Sequence, residues 1–309
     1  MLKKILIFIG VFVAVILLIG AYGAYYFKPD KNRISDFIVD NPERCAIKLI
    51  RNDSVLISHN PDQMMPLAST VKIIIAIEYA YQASAGLLDP DELIKIQELE
   101  HYHIPSTDGG AHKKWLSEIE EDLINGKIPF KDITQGMITY SSNANTEWLC
   151  DRLGIDKVNA RIESLGIEKH STIYYLVSSV LIGHELFPDL SGEELADAIL
   201  TLPEKEYIEA THRIHKKLKE DESYHENYEN LSLKAQNAWS DRLPASTVNE
   251  YTRLMDKLNS KEYFDSSTQE YLYEIMDFVL DNPKNREWLN HSGMKGGSTA
   301  SILTKALYA

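Results

Sequence analysis

Apolar positions along the chain alternate between strand-like and helix-like spacings. The run Val71–Tyr81 has hardly a charged face, which predicts a central, buried helix. Before it, Cys45–Arg51 and Ser54–His59 flank the turn pair Asn52-Asp53 and predict a β-hairpin. A second strand pair is expected within Glu92–His103.

The rest of the chain is mostly helical in its spacing. Predicted helices cover Asp132–Tyr140, Asn145–Leu153, Lys157–Leu165, Thr247–Leu258 and Thr268–Leu280. Ser191 and Glu194 have the spacing of a capping box, and His291–Leu303 predicts a turn that enters a strand. Strands followed by many helices and a late strand indicate an α+β fold, in which an antiparallel sheet packs against an all-helical region.

The N-terminus carries a long apolar run. Residues 5–27 contain no charge and are long enough to span a bilayer as one helix. A cleaved signal peptide is the alternative, with a weak cleavage pattern at Ala21-Tyr22-Gly23. Basic residues on both sides of the run leave its orientation undecided. We favour a retained anchor, which divides the chain into an anchor (1–27), a stalk (28–42) and a domain (43–309).

Composition narrows the class of protein. The chain has 309 residues, of which 44% are hydrophobic and 25% charged, as expected for a globular domain with a core. A net charge of −14 argues against nucleic-acid binding, which needs a basic face. Two cysteines, Cys45 and Cys150, are too few for a disulfide scaffold, and both are expected as buried thiols. The charged stretch 203–242 is expected to be a solvated surface insertion.

Three short motifs carry candidate chemistry. They are Ser69-x-x-Lys72, Ser141-x-Asn143 and Lys295-Gly296-Gly297. If Ser69 opens the helix, Lys72 lies one turn later on the same face, where its amine could make the hydroxyl a nucleophile. The alternative for the first motif alone is a serine that only caps a buried helix.

In this order, the three motifs resemble those of the serine β-lactamase and penicillin-binding protein superfamily, most closely its class A-like branch. The resemblance implies that Ser69 is the acylated nucleophile, that Lys72 acts as a base and that Ser141 transfers a proton. It also implies substrate binding by Asn143, Lys295, Gly297 and Ser298, with the backbone N–H groups of Ser69 and Ser298 as oxyanion donors.

The sequence departs from the family pattern at several places. Ser142 stands where class A members carry Asp. Gly296 stands where Thr or Ser is usual, so the hydroxyl that helps to bind the substrate carboxylate is missing there, unless Ser298 or Thr299 replaces it. The glutamate that activates water for deacylation has no recognisable setting. Glu185 falls in the right region among non-matching neighbours, and we interpret it as a surface carboxylate.

The C-terminal segment is also short for the family. Only Ser298 to Ala309 remain where further strands and a closing helix are usual, so we expect a truncated chain rather than an edge covered in another way.

Metal and cofactor sites are not predicted. His101 and His103 alternate and His112 is near, but no carboxylate or cysteine sits at a convincing spacing, so cleft-wall packing is favoured. His212 and His215 share a helix face within the charged stretch and are expected to be solvated. No P-loop or dinucleotide fingerprint is present.

The resulting expectation is a membrane-anchored, extracytoplasmic serine hydrolase that forms an acyl-enzyme on β-lactam or related amide substrates. Without the deacylation glutamate, hydrolysis of the acyl-enzyme is expected to be slow. The alternatives are a D-alanyl-D-alanine peptidase-like enzyme and a β-lactam- or peptidoglycan-binding protein without turnover. The expected partners are a small β-lactam or peptidoglycan-derived substrate and, through residues 5–27, a membrane.

Overall fold

The computed structural model describes residues 2–26, 30, 32–221, 223–224, 228 and 231–309, apart from the side chains of residues 2–7 and 9. The chain divides into two compact units, Met1–Ala46 and Ile47–Ala309. The three motifs all lie in the second unit.

The first unit contains two helices, α1 (Leu2–Tyr26) and α2 (Arg33–Asp40), and a 3₁₀ turn. Among the residues that the structure describes, no helix has both the length and the apolar character that crossing a bilayer requires. The membrane-spanning helix predicted for residues 1–27 therefore has no support from the structure, and Phe27 lies outside the described residues.

The second unit contains the remaining helices and all the strands of the described chain. The helices are α3 (Lys72–Ser84), α4 (Gln97–Glu100), α5 (Ala111–Ile119), α6 (Phe130–Thr139), α7 (Asn143–Leu153), α8 (Ile155–Ser164), α9 (Leu176–Val180), α10 (Ile182–Leu186), α11 (Gly192–Thr201), α12 (Glu204–Glu220), α13 (Leu233–Asp241), α14 (Val248–Asn259), α15 (Ser266–Met276) and α16 (Pro283–Arg286). The strands are β1 (Ile47–Arg51), β2 (Ser54–His59), β3 (Met65–Pro66), β4 (Leu93–Lys95), β5 (Lys127–Pro129), β6 (Ala245–Ser246), β7 (Gly293–Ser298) and β8 (Leu303–Tyr308).

The predicted central helix is confirmed as α3. Its isoleucines are fully buried, and each contributes roughly 1.5–3 kcal/mol of transfer free energy relative to exposure. Besides Lys72 at its start, α3 buries the polar side chains of Glu78 and Gln82, and both have hydrogen-bond partners. Glu78 accepts from Arg161 Nε at 2.8 Å, and Gln82 donates to the carbonyl oxygen of Leu153 at 2.9 Å. These partners satisfy the carboxylate of Glu78 and the amide of Gln82 inside the protein.

The strands differ from the single antiparallel sheet expected from the sequence. The described residues form four separate two-stranded antiparallel pairs, β1–β2, β3–β6, β4–β5 and β7–β8. The predicted hairpin is confirmed as β1–β2, because Asn52 and Asp53 both adopt positive φ, as a tight two-residue turn needs. Both β1 and β8 contact α14, so the two hairpins are held through a helix and not through a shared hydrogen-bond ladder.

Three local predictions were wrong. Within Glu92–His103 the structure has one strand, β4, followed by the short helix α4, because β4 pairs with the distant β5. Ser191 precedes α11 but makes no side-chain cap hydrogen bond. The stretch 203–242 is not a wholly solvated insertion, because α12 buries one face that includes Tyr207, Ile214 and His215.

Candidate active site

Ser69 lies in a tight turn that leads into α3. Residues Ala68–Val71 form a 3₁₀ turn, and α3 begins at Lys72, so Ser69 precedes the α-helix instead of opening it. Ala68 has a φ of +44°, and the Thr70 hydroxyl donates to the carbonyl oxygen of Leu67 at 2.6 Å. A strained residue before a hydrogen-bonded turn fixes the backbone direction at Ser69, which is half-buried.

Lys72 is oriented by the loop that carries the second motif. Its Nζ donates to the carbonyl oxygen of Ser141 at 2.7 Å and to Asn143 Oδ1 at 2.8 Å, and it lies 3.3 Å from Ser141 Oγ. Ser141 has a φ of +69°, which turns the chain sharply between α6 and α7. Ser142 then caps α7 by accepting from the backbone N–H of Asn145. The first two motifs are therefore in direct contact.

The third motif lies on β7, and β7 packs against the turn of Ser69. A Cβ atom at Gly297 would come within 2.4 Å of the Ser69 backbone nitrogen and 2.7 Å of Thr304 Oγ1. Only glycine therefore allows β7 to approach the turn this closely. Gly296 has no such constraint, because its nearest neighbour would be 3.7 Å away.

Two lysines are buried in this site. Lys72 is fully buried and Lys295 is 4% exposed. Burial lowers the pKa of Lys72 well below its ordinary value, the positive charge of Lys295 lowers it further, and the Asp108 carboxylate opposes both effects. Burial also lowers the pKa of Lys295, to about 8. The arrangement favours a neutral Lys72 amine at pH values where most lysines are charged.

The structure does not bring every residue predicted for the site into contact with the others. Within the described chain, the hydrogen bonds of Lys72 Nζ go to residues Ser141–Asn143 and not to Ser69 Oγ. Ser298 ends β7, pairs with Leu303 and is exposed. The Thr299 hydroxyl, a suggested replacement for the one missing at Gly296, lies 2.9 Å from Ser240 Oγ.

The carboxylates of Glu185 and Glu147 both have hydrogen-bond partners. Glu185, predicted to be a surface carboxylate, is only 16% exposed, and it contacts Lys217 Nζ and the Tyr224 hydroxyl, each at 2.5 Å. Glu147, one turn after Asn143 on α7, is fully buried and accepts from the backbone N–H groups of Val177 and Ser178. Neither hydrogen-bonds to Ser69, Lys72, Ser141 or Asn143. Glu147 could have been suspected from the sequence, because its spacing places it on the face of Asn143.

The prediction that His215 is solvated was wrong. His215 is 5% exposed, and its two ring nitrogens lie 3.1 Å from Glu147 Oε1 and 3.3 Å from Asp151 Oδ1. Its ring stacks on that of Tyr175, with 3.7 Å between centroids. Burial alone would lower the pKa of His215, but hydrogen bonds to Asp151 and Glu147 outweigh it and raise the pKa to about 9. This charged cluster ties α12 to α7.

A second polar cluster lies behind Ser142. His112 is fully buried and its Nδ1 is 2.8 Å from Ser142 Oγ, while Nε2 is 3.2 Å from Glu100 Oε1. His103 Nδ1 lies 3.5 Å from the other oxygen of Glu100. Among the described residues, these three form a group whose arrangement suits a metal ion. The sequence prediction missed Glu100, because α4 and the turn after it bring the carboxylate beside His103.

A known protein family matches most of the chain, including the first two motifs. A family model described as "Beta-lactamase enzyme family" matches residues 31–284, a range that ends before Lys295. No curated protein matches the chain.

Similar solved structures include three β-lactamases. A class A enzyme from Bacteroides cellulosilyticus is 17% identical, with 85% of this chain and 75% of that chain covered and a TM-score of 0.47. The TLA-3 extended-spectrum enzyme is 15% identical, with 87% and 77% covered and a TM-score of 0.49. An enzyme from Chitinophaga pinensis is 14% identical, with 80% and 69% covered and a TM-score of 0.45. Because the family model spans most of the sequence, the chain belongs to the β-lactamase enzyme family.

Proposed function

We propose that this chain is a serine hydrolase that is acylated on Ser69 by β-lactams or related amides. The observation that carries the proposal is the buried Lys72 amine, held by Ser141 and Asn143 next to the turn of Ser69. A neutral amine has two N–H donors and one lone pair. The short bonds to the Ser141 carbonyl and to Asn143 Oδ1 use both donors, which leaves the lone pair to accept a proton.

In the proposed acylation step, Lys72 takes the proton of the Ser69 hydroxyl as the oxygen bonds to the substrate carbonyl carbon. The backbone N–H groups of Ser69 and Ser298 stabilise the developing oxyanion. The C–N bond then breaks, and the leaving nitrogen receives the proton through the Ser141 hydroxyl, which lies 3.3 Å from Lys72 Nζ. Asn143 binds the substrate amide, and Lys295 attracts its carboxylate.

The fate of the acyl-enzyme distinguishes a β-lactamase from the alternatives. Glu185 is engaged by Lys217 and Tyr224, and Glu147 by the backbone of α9. These contacts support slow deacylation by water, and therefore a peptidase-like enzyme or a binding protein, over rapid β-lactam hydrolysis. Because Gly296 has no side-chain hydroxyl to bind the substrate carboxylate, we expect that carboxylate to be recognised weakly.

Covalent labelling tests the proposal. The full chain in mild detergent is incubated with a fluorescent penicillin, and intact-mass spectrometry measures whether one penicillin is added per chain. We expect a long-lived adduct that is lost in Ser69→Ala and kept in Ser164→Ala, a change at an exposed serine of α8. Rapid hydrolysis of a chromogenic cephalosporin would favour an efficient β-lactamase instead. Absence of both adduct and hydrolysis in a folded sample would refute acylation by β-lactams.

The cellular location is a separate proposal that rests on the sequence alone. We propose an extracytoplasmic domain that is held to the membrane by residues 5–27. Membranes from expressing cells are washed at high salt and alkaline pH, and we expect the chain to stay in the pellet. A chain that is released, or that is found without residues 1–27, would contradict a retained anchor.

A further inference from the structure

The polar cluster behind Ser142 combines two imidazoles with one carboxylate. Glu100 ends α4, His103 lies in the turn after it, and His112 is on α5. Glu100 presents one oxygen to each histidine, at 3.2 Å from His112 Nε2 and 3.5 Å from His103 Nδ1. All the donor atoms lie within 4.8 Å of one another.

Hydrogen bonds around Ser142 determine which nitrogen of His112 carries a proton. Asn145 Nδ2 donates to the carbonyl oxygen of Ile133 at 3.1 Å, so Asn145 Oδ1 is the end that faces Ser142. The Ser142 hydroxyl therefore donates its only proton to Asn145 Oδ1, at 2.9 Å. Since that proton is already used, His112 Nδ1 at 2.8 Å must be the donor to Ser142 Oγ.

This assignment creates a conflict at the other side of the ring. A neutral imidazole carries one N–H, so Nε2 of His112 would direct a lone pair at the carboxylate oxygen of Glu100, 3.2 Å away. Two acceptors facing each other beside a fully buried ring are unfavourable. A positive species between them removes the conflict, and it is either a second proton on His112 or a metal cation.

We propose that this position binds Zn²⁺ through Glu100, His103 and His112. Tetrahedral zinc holds nitrogen and oxygen ligands at about 2.0–2.1 Å, so neighbouring ligand atoms lie roughly 3.4 Å apart. The two observed separations, 3.2 Å from His112 Nε2 to one oxygen of Glu100 and 3.5 Å from His103 Nδ1 to the other, are close to that edge. Two histidines and one carboxylate are also a donor set that zinc prefers.

The surroundings fit an ion with one open coordination position. His103 and Asp108 line a pocket of about 340 Å³, through which the ion and a water molecule can enter. The Nδ1–H of His112 bonds to Ser142 Oγ, which is the kind of outer hydrogen bond that orients a metal-bound histidine. Because Ser142 lies between Ser141 and Asn143, the ion would also hold the loop that binds Lys72.

Metal titration tests this inference independently of any β-lactam chemistry. The full chain is stripped with a chelator and titrated with ZnCl₂ by calorimetry, and with CoCl₂ while the ligand-field absorption of cobalt is recorded. We expect one ion per chain and a cobalt spectrum typical of four-coordination. His103→Ala and Glu100→Gln should each weaken zinc binding by at least about tenfold. His101→Ala is the matched control and should leave the affinity unchanged.

Nitrogen-15 NMR of the histidine rings separates zinc from a simple imidazolium–carboxylate pair. With zinc bound, we expect His112 Nε2 to carry no proton and to show the shift of a metal-bound nitrogen. The inference is overturned if zinc does not bind, if binding survives both His103→Ala and Glu100→Gln, or if Nε2–H persists at saturating zinc. Circular dichroism of each variant checks that the fold is kept.

Discussion

Lys72 Nζ donates a hydrogen bond to Asn143 Oδ1 at 2.8 Å, which joins the start of the central helix α3 to the start of α7. The two residues are far apart in the sequence, and the bond is made inside the protein, where a charged amine is costly. The bond fixes the buried amine of Lys72 against the residues of the second motif.

Replacing Lys72 with methionine removes the amine but keeps a side chain of similar length. If Lys72 is the base for acylation, Lys72→Met should slow penicillin labelling by about 10²–10⁴-fold. Stopped-flow or gel-based labelling measures the rate. Lys157→Met, at an exposed position on α8, is the control. Normal labelling by a folded Lys72→Met variant would rule out the proposed base.

The charge of Lys295 should determine how the rate of β-lactam labelling falls at alkaline pH. Its pKa is lowered to about 8, so its positive charge is present below that pH and lost above it. The second-order rate of labelling by a β-lactam with a free carboxylate should therefore fall as the pH rises through about 8. Lys295→Arg keeps its charge, so that variant should lack this fall even if its rate is lower. The same fall in Lys295→Arg would assign it to another group.

The two glycines of the third motif provide a matched pair. Gly297→Ala would place a Cβ atom 2.4 Å from the Ser69 nitrogen, which forces the nucleophile's turn to move. We expect a loss of labelling rate of about 10²-fold, as for a misplacement of roughly 1 Å. Gly296→Ala meets nothing closer than 3.7 Å and should label normally. Equal rates for the two variants would mean that the close approach of β7 is unimportant.

The buried histidine on α12 should make stability depend on pH. The pKa of His215 is raised to about 9 from an ordinary value of 6.5, so its charged form stabilises the fold. That contribution is complete below pH 6.5 and lost as the pH rises through 9, and its upper size is roughly 3 kcal/mol. Urea unfolding at several pH values should show His215→Gln to be less stable than the parent at pH 6, with the gap narrowing toward pH 9.

His212→Gln is the control for this measurement, because His212 lies three residues earlier on the same helix and is exposed. Its stability should follow the parent at every pH. A constant gap between His215→Gln and the parent would show that His215 contributes through packing and not through its charge.

The sequence by itself determined the local elements and the order of the three motifs. Apolar residues on every face of Val71–Tyr81 require burial, and the Asn52-Asp53 pair tolerates positive φ, so the central helix and the first hairpin follow from short-range preferences. The motif order was enough to suggest the family that the family model then supported.

Only the tertiary structure decided which distant groups meet. The helical composition of α12 could not reveal that His215 lies between Glu147 and Asp151, because burial depends on what packs against the helix. In the same way, the spacing of residues in the sequence could not show that Glu100 lies beside His103 and His112. It also could not show that β1–β2 and β7–β8 are separate strand pairs. Periodicity records which face of an element is buried, whereas contact partners are set by long-range packing that no local pattern encodes.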